Sequence, residues 1–238
     1  MPKFTAACLR YAAPQAFYSL AGRLGPWLAV AAALAGAAGL YVAFFIAPTD
    51  AQQGEVYRIV FVHVPAAWMS VLLYVVMAFF AAVGLAFNTR LAFMMAHALA
   101  PTGAMFTFLA LWTGAIWGKP AWGTWWVWDA RLASELILLL LYLGTMALNA
   151  AIDDPRRADR ACALLALAGT LNLPLIYYSV PKLAASRVIE GVLIMGAAFF
   201  LYSIALALYR VRCVILEREQ ESEWAGAQFG SSLEAGPA

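Results

Sequence analysis

The sequence predicts an all-α integral membrane protein of six transmembrane helices with a tryptophan-rich outer loop between spans 3 and 4. Three observations carry that expectation. Of 238 residues, 65% are hydrophobic and only 12% charged, too little polar surface to coat a water-soluble globule of this size. Apolar runs of about 20 residues, the length that crosses a bilayer at 1.5 Å per residue, recur at 26–47, 59–87, 91–117, 132–150, 161–180 and 188–209. These runs are continuous, unlike the roughly ten-residue alternation of a membrane β-barrel. Connections are short and no 20 to 50 residue repeat is visible. The expected organisation is therefore one membrane domain over 26–209, between an N-terminal segment 1–25 and a tail 210–238.

Taken in order, the first run is too long for a signal-peptide core and reads as a retained span. The second opens with FVHVPAAW, placing His63 roughly 8 Å inside its outer end, with Pro65 removing a backbone donor two residues on. The third carries His97 at a similar depth from the opposite end, followed by Pro101; the fourth carries Glu135 just inside its start. Ahead of the fifth, Asp154 is placed to cap a helix that Pro155 opens, with Arg156, Arg157 and Arg160 at the membrane surface. Pro174 should kink or begin a helix late in that run. Beyond the sixth, RVRCVILEREQESEW reads as a helix leaving the bilayer before a Gly/Ser/Ala end of disordered composition.

Charge distribution sets the expected orientation. With the amino terminus inside, Lys3, Arg10, Arg23, Arg90, Arg156, Arg157, Arg160, Arg210, Arg212 and Arg218 fall on the inner side. Arg58, Lys119, Arg131, Lys182 and Arg187 fall outside. Ten against five predicts both termini cytoplasmic. Cys8, Cys162 and Cys213 all lie near the inner side and none forms a CxxC pair, so no disulfide framework is predicted.

The chemistry is expected in the loop WGKPAWGTWWVWDARL, residues 117–132. Five of nine tryptophans, Trp117, Trp122, Trp125, Trp126 and Trp128, stand there, and the other outer loops contain none. An interfacial aromatic belt would spread its indoles over all helix ends, so the concentration points to a flat apolar platform. Gly118, Pro120 and Gly123 are expected to break the helix approaching it; if 122–128 is itself helical, Trp122, Trp125 and Trp126 share a face. A large planar ligand would stack on such indoles, and His63, on the same outer side, supplies what porphyrin iron takes axially. Haem fits both, with Arg58, Lys119 and Arg131 available to its propionates. Two plainer readings compete: either histidine could be a buried polar residue bonded to backbone, and Arg131 could pair with Asp129 or with Glu135, neutralising the latter.

The stretch GKPAWGTWWVWDARLASELILLLLYLG, with FVHVPAAW upstream and AIDDPRRADRACALLALAGTLNLP downstream, strongly resembles the WWD-motif family of haem-handling proteins of cytochrome c biogenesis, in its six-span cytochrome c maturation branch. The similarity runs from about Phe17 through the ILERE segment. The resemblance implies a bacterial inner-membrane protein that is not an enzyme, binds haem as cargo at the periplasmic face and presents it to a haem chaperone. Implied partners are ABC transporter subunits, a small membrane partner subunit, the membrane-anchored periplasmic chaperone and the lipid bilayer, with no nucleic acid. It makes His63 an axial ligand of the haem iron and Trp122, Trp125, Trp126, Trp128 and Asp129 members of the haem-binding segment.

One departure stands out. The family's last outer loop carries a second axial histidine, whereas this chain passes from YYSV to PKLAASRVIEG, the missing piece falling between Val180 and Pro181. The iron would then take one protein ligand plus one from solvent or a partner, or this copy is impaired; Tyr178 and Lys182 are the nearest donors. Two other functions compete. A membrane b-type cytochrome or quinone oxidoreductase would hold haem between facing histidines, and His63 and His97 lie at the wrong relative depths. An autonomous transporter would need a coupling acid near mid-span, and there is no GxxxxGK[ST] phosphate cradle. Any ATP-driven step therefore belongs to another subunit.

Overall fold

The computed structural model describes residues 13–179, 189–219 and 224. Helix α1 spans Pro14–Tyr41 and widens into a π-turn at Val42–Ile46. A 3-10 turn, Glu55–Ile59, leads into α2 (Val60–Phe87), followed by α3 (Arg90–Trp122), α4 (Ala130–Ala151) and α5 (Pro155–Gly169). Another 3-10 turn, Thr170–Asn172, joins α5 to α6 (Leu173–Ser179), and α7 covers Ile189–Arg218. Among the described residues six stretches are long and apolar enough to cross a membrane, α5 and α6 together making the fifth. The protein is thus all-helical and multi-span, as its hydropathy predicts.

The helices outrun the apolar runs at several ends. Helix α1 begins at Pro14, where a proline at the first position costs no hydrogen bond, and α7 continues to Arg218. The extensions persist because α1 and α7 pack along each other. At their shared end the Arg212 guanidinium lies 4.3 Å from the Tyr18 ring centroid and against the backbone of Gly22. Pro26, Pro65, Pro101 and Pro120 sit within helices that do not end there. Each removes one backbone bond, but leaving the helix inside a bilayer would strand several more. Pro174, by contrast, stands in the first turn of α6, after the 3-10 turn.

Short connections make the spans run up and down. Segments 47–54 and 123–129 therefore lie at one end of the bundle, and 88–89 and 152–154 at the other. Helix α3 packs against α2, α4 and α7, and α2 also meets α5. The central core gathers Tyr74, Met77, Phe106, Leu138 and Tyr142.

Polar groups thread this core. Ser70 Oγ donates to Glu135 Oε1 at 2.7 Å, Tyr142 Oη to the Ser70 carbonyl at 2.8 Å, and Asn172 Nδ2 to the Ser134 carbonyl at 2.8 Å. Glu135, only 8% exposed, is therefore satisfied by α2. Of the two partners open to Arg131, the structure selects Asp129, with Nη2 3.1 Å from Oδ2, in the more solvated turn where a guanidinium keeps its hydration; Glu135 is not the one it neutralises.

The opposite end is tied by charge. Arg218 makes a two-pronged contact with Asp159 at 2.7 and 2.8 Å, joining α7 to α5, and His97 lines a small cavity with Asp159, Cys162 and Asn149 beside it. Asp154 caps α5 as expected, Oδ1 accepting from the amides of Arg156 at 2.8 Å and Arg157 at 3.3 Å. Those amides, Arg157's first and Arg156's second, hold its carboxyl below the usual carboxylate range. With a lowered folded-state value the cap is complete above the ordinary carboxylate range and is lost as pH falls through the depressed one. Asp154→Ala should speed amide hydrogen exchange at Arg156 and Arg157, while Asp154→Asn, still a good cap, keeps them protected; equal exchange in all three proteins would remove Asp154 from this role.

Candidate functional site

The tryptophan segment is set by how α3 ends. Of the three expected breakers, Gly118 and Pro120 lie inside the helix, which continues to Trp122, and Gly123 is the one that ends it. Gly123 takes φ 76°, a left-handed conformation suited to glycine, and its amide donates to the Lys119 carbonyl at 3.0 Å. Gly118 has a packing role instead: a Cβ there would lie 3.1 Å from Trp122 Cε3, so the missing side chain makes room for the indole one turn on.

Beyond Gly123 the backbone is non-helical to Asp129. The condition under which Trp122, Trp125 and Trp126 would share a helical face is therefore not met. Local polar bonds shape the segment: Thr124 Oγ1 donates to the Trp126 carbonyl at 3.1 Å, and Lys119 Nζ to the Gly123 carbonyl at 3.1 Å. Asp129 caps α4, Oδ1 accepting from the Leu132 amide at 2.8 Å while Oδ2 holds Arg131.

The result is an aromatic surface fringed by cations. Trp122, Trp125 and Trp128 are 55%, 57% and 79% exposed, far more than indoles embedded in a core. The Arg131 guanidinium carbon lies 5.0 Å from the Trp122 ring centroid, and Lys119 Nζ 5.8 Å from that of Trp125. Trp126 meets Trp128 edge-on at 5.3 Å and is itself half-buried, its indole nitrogen without a partner.

His63 belongs to the same end. Its ring meets Trp117 edge-on, centroids 5.7 Å apart, and Nδ1 stands 3.0 Å from Thr113 Oγ1. Trp117 is anchored in turn, its indole N–H donating to Gln53 Oε1 at 2.7 Å from the loop after α1. Arg58 is differently engaged: it pairs with Glu55 and donates to the Ala43 carbonyl, with its side chain 14% exposed. It fastens α1 to the start of α2, whereas Lys119 and Arg131 lie over the indoles.

Thr113, Gly114 and Gln53 join the site without having been singled out from sequence. A helical wheel on Trp117 would have found Thr113 one turn below it; Gln53 carries no local signal. His97 stands about sixteen residues before Thr113 on α3, roughly 24 Å along the helix, so the two imidazoles cannot grip one ion. The junction between Val180 and Pro181, and Lys182, lie outside the described residues; Tyr178 is exposed at the end of α6.

Six helical spans, with one imidazole and a cation-fringed row of exposed indoles gathered at a single end, define a multi-span membrane protein with a built aromatic surface site. The family profile described as Heme exporter protein C matches residues 7–185. The chain is 44% identical over 228 residues to Heme exporter protein C of Escherichia coli strain K12, covering 90% of this chain and 92% of that one. Identity is 44% over 225 residues with the Bradyrhizobium diazoefficiens protein of the same name, covering 88% and 85%. With that of Haemophilus influenzae it is 38% over 234 residues, covering 91% and 95%. The chain belongs to the Heme exporter protein C family, membrane components of cytochrome c maturation.

Proposed function

We propose that this chain binds haem at the end of the bundle that carries the tryptophan segment, and presents it there to a periplasmic haem chaperone for c-type cytochrome assembly. The observation that carries this reading is the placement of His63 against Trp117, at the end where Trp122, Trp125 and Trp128 are exposed. Porphyrin brings four equatorial nitrogens of its own, so one imidazole is enough to hold its iron. Among the described residues no group of three or more His, Cys, Asp and Glu side chains converges, so the protein donors suit a metal that arrives already ligated. Indole faces stack on the macrocycle, and Arg131 and Lys119 answer the propionates. Arg58 is a further propionate partner in this proposal once it exchanges Glu55 for the ligand.

An open, surface-edge platform favours transfer over retention. A redox cytochrome would instead seat haem between helices, and His63 and His97 are at opposite ends. On this reading the tryptophan end is periplasmic, both termini are cytoplasmic, and the membrane is the bacterial inner membrane, in line with the inner excess of arginine. ABC transporter subunits, a small membrane subunit and the membrane-anchored chaperone complete the system.

The test is ferric haem titration of the full chain, alone and with the chaperone. Transfer predicts haem that is held loosely and moves to the chaperone; a tightly held, six-coordinate haem that cycles between redox states without leaving would establish the cytochrome reading instead. Trp125→Ala and Trp128→Ala should each weaken haem binding by about 1 kcal/mol, roughly fivefold. Both indoles are largely exposed, so thermal stability should hardly change. Unaltered affinity in the double variant would remove the platform from the site.

A further inference from the structure

We propose that Thr113 is a positioning residue for haem capture: its hydroxyl accepts a hydrogen bond from Nδ1–H of His63 and so presents the bare Nε2 to the iron. The inference rests on the reading of His63 as the iron's ligand and adds which nitrogen binds and what selects it.

A threonine hydroxyl has one hydrogen to give. Thr113 Oγ1 lies 2.6 Å from the Leu109 carbonyl and 3.3 Å from that of Ala110, the back-bonding geometry of a helical threonine. Its hydrogen is therefore committed to the helix, the Leu109 contact being the shortest it makes. Toward His63 Nδ1, at 3.0 Å, the oxygen has only lone pairs left, so the imidazole must be the donor. The neutral ring then carries its proton on Nδ1 and a free electron pair on Nε2. In the other tautomer Nδ1 would offer its pair to Thr113 and Nε2 would be protonated, leaving no nitrogen free to ligate.

Two neighbours on α3 complete the mount. Gly114 lies directly under the ring: a Cβ there would be 3.0 Å from His63 Cε1 and 4.0 Å from Nε2. Glycine thus lets the imidazole lie close to the helix backbone without a methyl crowding the ligating edge. Trp117, itself held by Gln53, walls the ring one turn further along. Hydroxyl, bare backbone and indole together fix the orientation of a ring that would otherwise rotate, which is how outer-shell groups strengthen a metal ligand.

The chain has only two histidines, so histidine-selective 15N labelling of the full-length protein in lipid nanodiscs resolves His63, with His97→Gln as the assignment control. Haem-free protein should show His63 protonated at Nδ1, and Thr113→Val, which keeps the shape and removes the oxygen, should shift it to a mixture with the Nε2–H form. Ferric haem affinity should fall about 10 to 100-fold in Thr113→Val, and Thr113→Ser should restore both the tautomer and most of the affinity. An Nε2–H ring in the unsubstituted protein overturns the proposal. So does a Thr113→Val protein with unchanged tautomer or unchanged affinity. If His63→Ala keeps full haem affinity, the site reading itself fails, whereas loss of haem in His63→Ala with no effect of Thr113→Val defeats the positioning role alone.

Discussion

His63→Ala should cost the protein on the order of a hundredfold or more in ferric haem affinity, while insertion and folding persist. The magnitude follows a fortiori: disturbing an outer-shell group alone weakens a metal site by roughly 10 to 100-fold, so losing the ligand should reach at least the upper bound, about 2.7 kcal/mol. Folding should survive because the imidazole supports little else. Its hydrogen-bond partner Thr113 keeps its bond to Leu109, and the buried core centres on Tyr74, Met77 and Tyr142, deeper in the bundle. Added imidazole should enter the vacated space and recover part of the affinity. His97→Ala is the matched control, expected to leave haem titrations unchanged because that ring lies at the opposite end beside Asp159 and Cys162. Equal haem occupancy in His63→Ala and the unsubstituted protein would remove the imidazole from the site.

What could be read ahead of the structure follows the range of each interaction. Six spans were visible because burial in lipid writes itself into every residue of a run. The cap at Asp154 was visible because capping is local, reaching two or three residues. At the end of α3 Gly123 is the breaker that acts, while Gly118 and Pro120 do not for a physical reason: they are breakers in water, but the bilayer penalises any unpaired backbone, and Gly118 is needed under the Trp122 indole. Local spacing leaves both Asp129 and Glu135 open to Arg131; Arg131 takes Asp129 and the face of Trp122, while Glu135 takes Ser70 sixty-five positions away. The Thr113 contact to His63 spans fifty positions. Neither pairing leaves a trace in local composition. Arg58 is a mixed case: its Glu55 partner stands only three positions away and is legible from spacing, whereas its bond to the Ala43 carbonyl, fifteen positions away, is not.

Gly103→Ala is expected to be the most damaging single methyl in the bundle. A Cβ at this position would fall 2.1 Å from Tyr142 Cζ and 2.3 Å from its Oη, so the ring must move. It has nowhere to go: Tyr142 is fully buried, meets Tyr74 edge-on at 5.1 Å and donates to the Ser70 carbonyl. Overpacking costs about 1 to 3 kcal/mol, and pulling the hydroxyl off its acceptor leaves a buried donor unmade at a further 1 to 3 kcal/mol or so. A loss of about 3 kcal/mol or more in denaturation from detergent is therefore expected. Gly169→Ala separates the two contributions, because there the Cβ would meet Tyr74 Oη at 2.0 Å but Cζ only at 2.9 Å, and that hydroxyl has no hydrogen-bond partner. Tyr74→Phe should thus rescue part of the stability lost in Gly169→Ala, Leu141 Cδ1 at 2.8 Å still having to shift, whereas Tyr142→Phe should rescue less in Gly103→Ala, since Cζ remains in the way. Equal rescue in both pairs would show that α3 and α4 separate to accommodate the methyl. The close approach at Gly103 would then not be what holds Ser70, and through it Glu135, in register beneath the tryptophan end.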